Sequence, residues 1–211
     1  MIKCVIFDFD GTLVESNDIK RRVFYEVSKN IEGADLILDK LFSANFSGDR
    51  YKVFNTIIED LFKTKKTDIS SKYLSDLYTK ICEYEVSRAP EIFGASRTLE
   101  ELKRRNIKII VSSATPVETL KFIIKMRGWS DLFDGVMGTP ESKEDHLKSI
   151  LSINNYSLSE VVYVGDSEID RMASLSIGCK FIGIGNDWRR FDVRPEVLLK
   201  TLEKLIEELK L

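Results

Sequence analysis

Two aspartates one residue apart, Asp8 and Asp10, follow an apolar run near the start of the chain, in the sequence VIFDFDGTLVES. Residues two apart on an extended strand point to the same side, so the two carboxylates are predicted to converge while Phe7 and Phe9 face the other way. Two carboxylates about 4 Å apart repel by roughly 4 kcal/mol at an effective dielectric constant of 20. Either one stays protonated, as a proton donor would, or a divalent cation joins them, and an all-oxygen site favours Mg²⁺.

The alternative is that both aspartates only make a turn and cap a helix, and later segments bear on this choice. VVYVGDSEID ends an apolar run with Asp166, and Asp170 follows one helical turn later. IKIIVSSATP ends another run in hydroxyls, and its small Ala114 leaves backbone N–H groups open to an anion near a helix start. In GTPESKEDHLK, Lys143 supplies a point charge suited to phosphate. Ligands of open α/β sheets bind at the carboxyl ends of the strands, where Asp166 could complete a metal site with Asp8 and Asp10.

The elements that would position these residues alternate along the chain. Five short runs are predicted as buried strands, at residues 3–9, 107–113, 135–138, 161–165 and 180–185. Helical segments separate the later runs, which predicts an α/β fold with a doubly wound parallel sheet covered on both faces. Residues 16–88 instead contain helical spacing and no convincing strand. We therefore predict an α/β core domain of residues 1–15 and 89–211, with a helical domain of residues 16–88 inserted into it.

Charge and cysteine content bear on the partners and location of the protein. The 32 basic and 34 acidic residues are mixed along the chain and give a formal net charge of −2, so no basic stripe supports nucleic acid or a membrane as a partner. Three cysteines far apart and the lack of a signal-peptide pattern make the cytoplasm the expected location. The leucines of the carboxyl-terminal EVLLKTLEKLIEELKL have helical spacing, and this helix is expected to pack against the sheet or, alternatively, to form a dimer contact. A monomer or a homodimer is expected.

Four of these segments, in order, resemble the four motifs of the haloacid dehalogenase (HAD) superfamily, and the match spans nearly all of the α/β portion. DFDGT resembles the first motif, VSSA the second, Lys143 the third and GDSEID the fourth. The resemblance implies a phosphomonoesterase in which Asp8 attacks phosphorus to form an aspartyl-phosphate and Asp10 serves as general acid and then base. It also implies that residues 16–88 are a C1-type cap, which selects the leaving group of a small phosphorylated metabolite.

The metal ligands are likewise implied by the resemblance. Mg²⁺ would be held by the Asp8 side chain, the Asp10 backbone carbonyl and Asp166, with Asp170 supporting these ligands or binding through water. The metal and Lys143 would neutralise the phosphoryl oxygens, so that an anionic carboxylate can approach an anionic phosphate. Dehalogenases of the superfamily lack the second acidic residue, so Asp10 argues against dehalogenation.

The phosphate-binding hydroxyl of the second motif has two candidates, Ser112 and Ser113. Counting from Asn106, which stands where the family usually has glycine, favours Ser113 with the Ala114 N–H beside it. His146, the only histidine, is expected to be an ordinary residue of the helix that follows Lys143.

The identity of the substrate is not predicted, because cap residues follow no motif. Four basic residues of the cap are candidates for substrate contacts, and each is alternatively a solvated helix residue: Lys20, Arg21, Arg50 and Lys52. Trp188, Arg189 and Arg190 are candidates for bordering the site, although Trp188 is equally an ordinary packing residue.

Two other functions stay open at this point. One is a phosphomutase of the β-phosphoglucomutase type, which is weakened because Lys20 stands where that branch has a histidine. The other is a non-catalytic regulator built on the HAD scaffold, since a fold does not fix a function. Loss of a motif residue would have favoured the regulator, but Asp8, Asp10, Lys143 and Asp166 are all present.

Overall fold

The computed structural model describes residues 1–43, 49–62 and 69–211, which form two compact units. One unit consists of Met1–Ser16 and Arg88–Leu211, and the other of Asn17–Ser87. Each junction lies one residue from the predicted domain boundaries. The predicted insert, 16–88, also contains residues 44–48 and 63–68, which lie outside the described residues.

The first unit is built on a parallel sheet. Within the described residues its strands are β1 (Cys4–Phe7), β2 (Lys108–Pro116), β3 (Gly135–Thr139), β4 (Val161–Gly165), β5 (Lys180–Ile184) and β6 (Leu198–Leu199). Their order across the sheet is β3-β2-β1-β4-β5-β6, and all neighbouring pairs are parallel. The two central strands, β1 and β4, are buried throughout, which explains their continuous apolar sequences CVIF and VVYVG.

Helices connect these strands, as parallel pairing requires. The first unit contains α5 (Ala95–Arg104), α6 (Val117–Met126), α7 (Lys143–Asn154), α8 (Glu168–Ile177) and α9 (Leu205–Glu208). α7 and α8 pack together, and their apolar side chains form one buried cluster with Cys4, Ile6 and Tyr163 of the sheet. Val5 and Phe7 alternate with these residues and face the opposite side. The predicted doubly wound α/β fold is confirmed.

The second unit contains helices and no strand in its described residues. It contains α1 (Asn17–Ser28), α2 (Ala34–Ser43), α3 (Arg50–Phe62) and α4 (Ser71–Val86). Its core is aromatic: the ring of Phe24 lies 4.3 Å from that of Tyr78 and 5.3 Å from that of Phe54, between centroids. No helix in the described parts of either unit combines the length and apolar character that a membrane crossing needs.

The carboxyl-terminal segment does not form the predicted continuous helix. Leu198 and Leu199 form strand β6, with Gly183 N–H donating to the carbonyl of Val197 at 2.9 Å, and only the single-turn helix α9 follows a 3₁₀ turn. Without β6, the edge of β5 would present unpaired N–H and C=O groups, and pairing with them satisfies more of the backbone there than a helix would. Of the four leucines in this spacing, Leu202, Leu205 and Leu209 are buried and Leu198 is half-buried, but the prediction of secondary structure was wrong.

Candidate active site

The carboxyl ends of the two central strands bring two aspartates together. Asp8 follows β1, and Asp166 follows β4. The two strands are neighbours, and their register pairs Phe7 with Val164 at the ends that lead to these aspartates. The Asp8 N–H donates to the Val164 carbonyl at 2.9 Å, which holds the chain in this register beyond the last residue of β1. Both carboxylates are buried, with Asp8 4% and Asp166 5% exposed. Strand pairing therefore determines the position of both groups.

Helices α7 and α8 begin at the same edge of the sheet and add a cation and a third carboxylate. Lys143 is the first residue of α7, and its Nζ lies 2.7 Å from Asp8 Oδ1 and 2.6 Å from Asp170 Oδ1. Ser142 and Ser167 cap α7 and α8, each in a reciprocal capping box. The capping bonds fix the first turn of each helix, and hence the backbone from which Lys143 and Asp170 project.

Burial and the neighbouring charges shift the pKa values of this cluster. Burial raises the pKa of the Asp8 carboxyl well above its ordinary value; Lys143 opposes this rise, whereas Asp170 and Asp166 add to it. Burial by itself would lower the pKa of Lys143, but the carboxylates of Asp170 and Asp8 raise it well above its ordinary value. Lys143 is therefore held in its charged form, and a further positive charge nearby would favour the ionised form of Asp8.

The carboxylates fit a divalent cation. Asp8, Asp166 and Asp170 each offer an oxygen, and these oxygens all lie within 4.8 Å of one another, an arrangement of hard donors that suits Mg²⁺ or a similar ion. Asp170 already accepts hydrogen bonds on both oxygens, from Lys143 and Tyr163 on Oδ1 and from Ser167 on Oδ2. Asp8 and Asp166 are consequently better suited to bind the ion directly, and Asp170 to orient Lys143.

Asp10 is held by three hydroxyl groups. Its Oδ1 accepts a hydrogen bond from Ser16 Oγ at 2.6 Å, and its Oδ2 accepts from Thr115 Oγ1 at 3.0 Å and from Ser113 Oγ at 3.3 Å. Ser113 in turn accepts from the Thr115 N–H at 3.1 Å. These bonds fix the side chain of Asp10. Ala114, between the two β2 hydroxyls, is exposed.

The other candidate of the second motif, Ser112, faces a different partner. Its Oγ lies 2.9 Å from Nδ1 of His146, whose Nε2 lies 3.3 Å from the carbonyl of Gly138. A carbonyl only accepts, so Nε2 carries the proton and Nδ1 accepts from Ser112. Burial lowers the pKa of His146, which keeps the ring neutral. The geometry therefore favours Ser113 as the hydroxyl of the site.

The 3₁₀ turn Trp188–Arg190 brings a second cation to this edge of the sheet. Arg190 Nη1 lies 3.4 Å from Asp166 Oδ2. Arg189 instead pairs with Asp187 at 2.9 Å, and Trp188 is 45% exposed. Of these candidates, Arg190 is the one that reaches a carboxylate of the site.

The four basic residues predicted to contact substrate belong to the helical unit: Lys20, Arg21, Arg50 and Lys52. The guanidinium of Arg21 lies 5.2 Å from the centre of the Phe42 ring, and that of Arg50 lies 5.8 Å from the centre of the Tyr78 ring. The two lysines lie on α1 and α3, the first half-buried and the second exposed. Their contribution to specificity stays a prediction.

Sequence reasoning missed four hydroxyl groups that touch the site: Ser16, Thr115, Tyr163 and Ser167. Thr115 stands two residues after Ser113, and side chains two residues apart on an extended strand point to the same face of the sheet. The sequence alone therefore places these two hydroxyls side by side. Tyr163 interrupts a run of valines in the buried strand β4, and a buried tyrosine usually needs a hydrogen-bond partner. Ser16 carries no comparable signal, because it lies beyond the turn that follows Asp10.

Gly165 allows α8 to approach the end of β4. A Cβ at this position would lie 2.5 Å from both Cβ and Cγ of Asp170. We therefore expect Gly165→Ala to displace Asp170 and to lower the free energy of unfolding by about 1–3 kcal/mol, measured by urea denaturation. Gly135→Ala on β3 is the matched control, since its Cβ would meet Ile110 at an ordinary 3.5 Å. Equal stabilities for the two variants would contradict this account.

Comparison with known proteins identifies the family. Residues 5–184 match the profile of the haloacid dehalogenase-like hydrolases. PpaX of Caldanaerobacter subterraneus subsp. tengcongensis, provisionally named a pyrophosphatase, is 26% identical over 214 aligned positions, which cover 94% of this chain and 86% of that protein. The phosphoglycolate phosphatase of Psychrobacter arcticus is 24% identical over 194 positions, covering 85% and 82%. The crystal structure of CbbY from Rhodobacter sphaeroides in complex with phosphate, 18% identical, aligns over 100% of both chains with a TM-score of 0.77. As the four motifs predicted, the chain belongs to the haloacid dehalogenase-like hydrolase family.

Proposed function

We propose that this hydrolase is a Mg²⁺-dependent phosphomonoesterase that acts on a small phosphorylated metabolite. The observation that carries the proposal is the position of the Lys143 ammonium, 2.7 Å from Asp8 and 2.6 Å from Asp170 in a buried cluster. A carboxylate beside a fixed cation can attack a phosphoryl group, because the cation offsets the repulsion between two anions. The names of the two relatives, a pyrophosphatase and a phosphoglycolate phosphatase, support chemistry at phosphorus.

In the first proposed step, a carboxylate oxygen of Asp8 attacks phosphorus and the bond from phosphorus to the leaving oxygen breaks. Asp10 in its acid form gives its proton to the leaving oxygen, and an aspartyl-phosphate is left on Asp8. The carboxylate that forms on Asp10 is stabilised by the hydroxyls of Ser16 and Thr115, which both donate to it. The substrate is thereby split into a free alcohol and an enzyme-bound phosphoryl group.

In the second step, Asp10 acts as a base. It takes a proton from water, the water oxygen attacks phosphorus, and the bond from phosphorus to the Asp8 oxygen breaks. Inorganic phosphate is released and the Asp8 carboxylate is restored, so the cycle balances. Ser113 and the Ala114 N–H are proposed to bind the phosphoryl oxygens through both steps.

The proposed Mg²⁺ would be held by the side chains of Asp8 and Asp166, with the Asp10 carbonyl as a further ligand. When bound, the ion supplies Lewis-acid neutralisation of the phosphoryl oxygens. It would also favour the ionised form of Asp8, whose pKa is otherwise raised by burial. Asp170 keeps its hydrogen bonds to Lys143, Tyr163 and Ser167 in this arrangement.

We further propose that the helical unit, Asn17–Ser87, is a cap that selects the leaving group. Its basic residues suit anionic or hydroxylated metabolites, and the candidates for direct contact are Lys20, Arg21, Arg50 and Lys52. Substrates for a first screen follow from the relatives' names: 2-phosphoglycolate and pyrophosphate, together with p-nitrophenyl phosphate and sugar phosphates.

The expected result of this screen is release of inorganic phosphate in the presence of Mg²⁺. Chelation with EDTA is expected to lower the rate at least about a hundredfold, and added Mg²⁺ to restore it, because the phosphoryl charge is then no longer neutralised. Borohydride added to a rapid quench is expected to convert an aspartyl-phosphate at position 8 to homoserine, which mass spectrometry detects. Absence of phosphate release from every substrate would contradict the proposal. Isomerisation of a hexose 1-phosphate given a catalytic bisphosphate, without free phosphate, would instead indicate a mutase.

A further inference from the structure

Tyr163 is a buried phenol that the proposed steps do not use. It lies in the middle of β4, is 0% exposed, and pairs with Ile6 of β1 and Phe181 of β5. Its ring packs in the apolar cluster with Leu147 and Ile150 of α7. A buried hydroxyl costs free energy unless it is hydrogen-bonded, and packing in an apolar cluster requires only the ring. The partners of the hydroxyl therefore explain why a tyrosine stands here.

The hydroxyl of Tyr163 reaches the charged cluster of the site. It lies 3.0 Å from Asp170 Oδ1 and 3.2 Å from the carbonyl of Ser112. The carboxylate is the nearer and the stronger acceptor for the single proton. Burial raises the pKa of Tyr163 well above its ordinary value, so the phenol remains a donor at any working pH. The same Oδ1 atom accepts from Lys143 Nζ at 2.6 Å.

We propose that Tyr163 is a positioning residue for Lys143 and acts through Asp170. The Lys143 ammonium is shared between Asp170 and Asp8, at almost equal distances. The hydrogen bond that Tyr163 donates partly neutralises the negative charge on Asp170 Oδ1. Ser167 holds the other oxygen, Oδ2, by hydrogen bonds from its N–H and its hydroxyl. Asp170 is thus held in one orientation, and its attraction for Lys143 stays balanced against that of Asp8.

Removal of the hydroxyl would disturb this balance. The Oδ1 atom of Asp170 would carry more negative charge and attract Lys143 more strongly, and the carboxylate could also rotate toward the space left by the hydroxyl. Either change draws the ammonium away from Asp8 and from the phosphoryl oxygens. The inference rests on the proposed function, because the position of Lys143 affects turnover only where Asp8 attacks a phosphoryl group.

The first test is Tyr163→Phe, which removes only the hydroxyl. Loss of a group that orients an active-site residue typically costs about tenfold to a hundredfold in activity, and we expect that loss in kcat. KM should change by less than about threefold, because the rest of the phosphate site still binds the substrate and the contact of Lys143 matters most in the transition state. Tyr156→Phe is the matched control, since Tyr156 packs on the same apolar cluster and has no part in the proposed chemistry. It is expected to keep the wild-type kcat.

A double-mutant cycle separates positioning from packing. With Asp170→Asn as background, Tyr163→Phe is expected to cause little further loss of kcat, because the path from the hydroxyl to Lys143 is already broken. If Tyr163→Phe lowers kcat by the same factor in both backgrounds, the inference is overturned, since the effect would then not pass through Asp170. A wild-type kcat for folded Tyr163→Phe would overturn it as well.

One measurement does not require turnover. In protein labelled with ¹³Cζ-tyrosine, the Cζ resonance of Tyr163 is expected to shift in Asp170→Asn, because the acceptor of its hydroxyl changes from a carboxylate to an amide. An unchanged resonance would overturn the inference, even where Tyr163→Phe fails to fold. An inactive wild type with a shifted resonance would instead contradict the proposed function and leave the contact between Tyr163 and Asp170 supported.

Discussion

Replacement of Asp8 by asparagine is expected to lower kcat by about four orders of magnitude or more, which is the scale seen when an enzyme loses its nucleophile. An amide oxygen carries no full negative charge and cannot form the aspartyl-phosphate of the proposed first step. The measurement is phosphate release under single-turnover and steady-state conditions with Mg²⁺ present. Borohydride trapping of the variant is expected to yield no homoserine at position 8.

The fold of the Asp8→Asn variant should survive, which makes the loss of activity interpretable. Asparagine is nearly isosteric, keeps the backbone bond to Val164, and removes one of several mutually repelling buried carboxylates. A change in Tm within about 4 °C, or roughly 1 kcal/mol for a protein of this size, is expected. Asp134→Asn is the control, because Asp134 lies just before β3 and bonds to Lys108 and Ile109 near the start of β2, away from the carboxyl ends of the strands. Activity above about a tenth of wild type in Asp8→Asn would show that another group is the nucleophile.

Much of the core of this protein follows from residue types and spacing. Continuous apolar runs predict the two central strands, because a strand covered on both faces has no polar side. Acidic residues directly after such runs predict where functional groups gather, because the carboxyl ends of parallel strands meet at one edge. The structure brings Asp8, Asp166, Lys143 and Asp170 into one cluster there, and their catalytic roles stay predictions.

Other features depend on contacts that no local pattern encodes. The choice between Ser112 and Ser113 depends on which side of β2 meets His146, a residue far away along the chain. Strand β6 forms because the edge of β5 is available to it, whereas the leucine spacing of that segment is equally compatible with a helix. The hydrogen bond of Tyr163 to Asp170 needs β4 and α8 to be packed already. Local spacing predicts which residues are buried, but tertiary pairing decides what they touch.

Lys143→Met is expected to remove both activity and stability, because the ammonium is the cation that lies between the two buried carboxylates of Asp8 and Asp170. The side chain is only 10% exposed, so water cannot replace its charge. Breaking a buried ion pair by deleting one partner typically costs about 3–5 kcal/mol, and we expect a loss of that size in urea denaturation at neutral pH. We expect kcat to fall by about three orders of magnitude, since transition-state charge on the phosphoryl group loses its fixed counter-ion. Lys148→Met is the control on the same helix, because Lys148 forms an exposed pair with Glu144 and such pairs contribute little.

The loss of stability and the loss of activity in Lys143→Met should be separable. Addition of Asp170→Asn removes one of the two carboxylates that the substitution leaves without their cation, so part of the lost stability is expected to return. Activity should not return, because the neutral amide introduced by that second substitution restores no positive charge beside the phosphoryl group. Recovery of both would mean that Lys143 serves only to neutralise buried aspartates. Recovery of stability alone would mean that one ammonium does two tasks: it makes the burial of Asp8 and Asp170 tolerable and supplies the charge that lets Asp8 approach phosphorus.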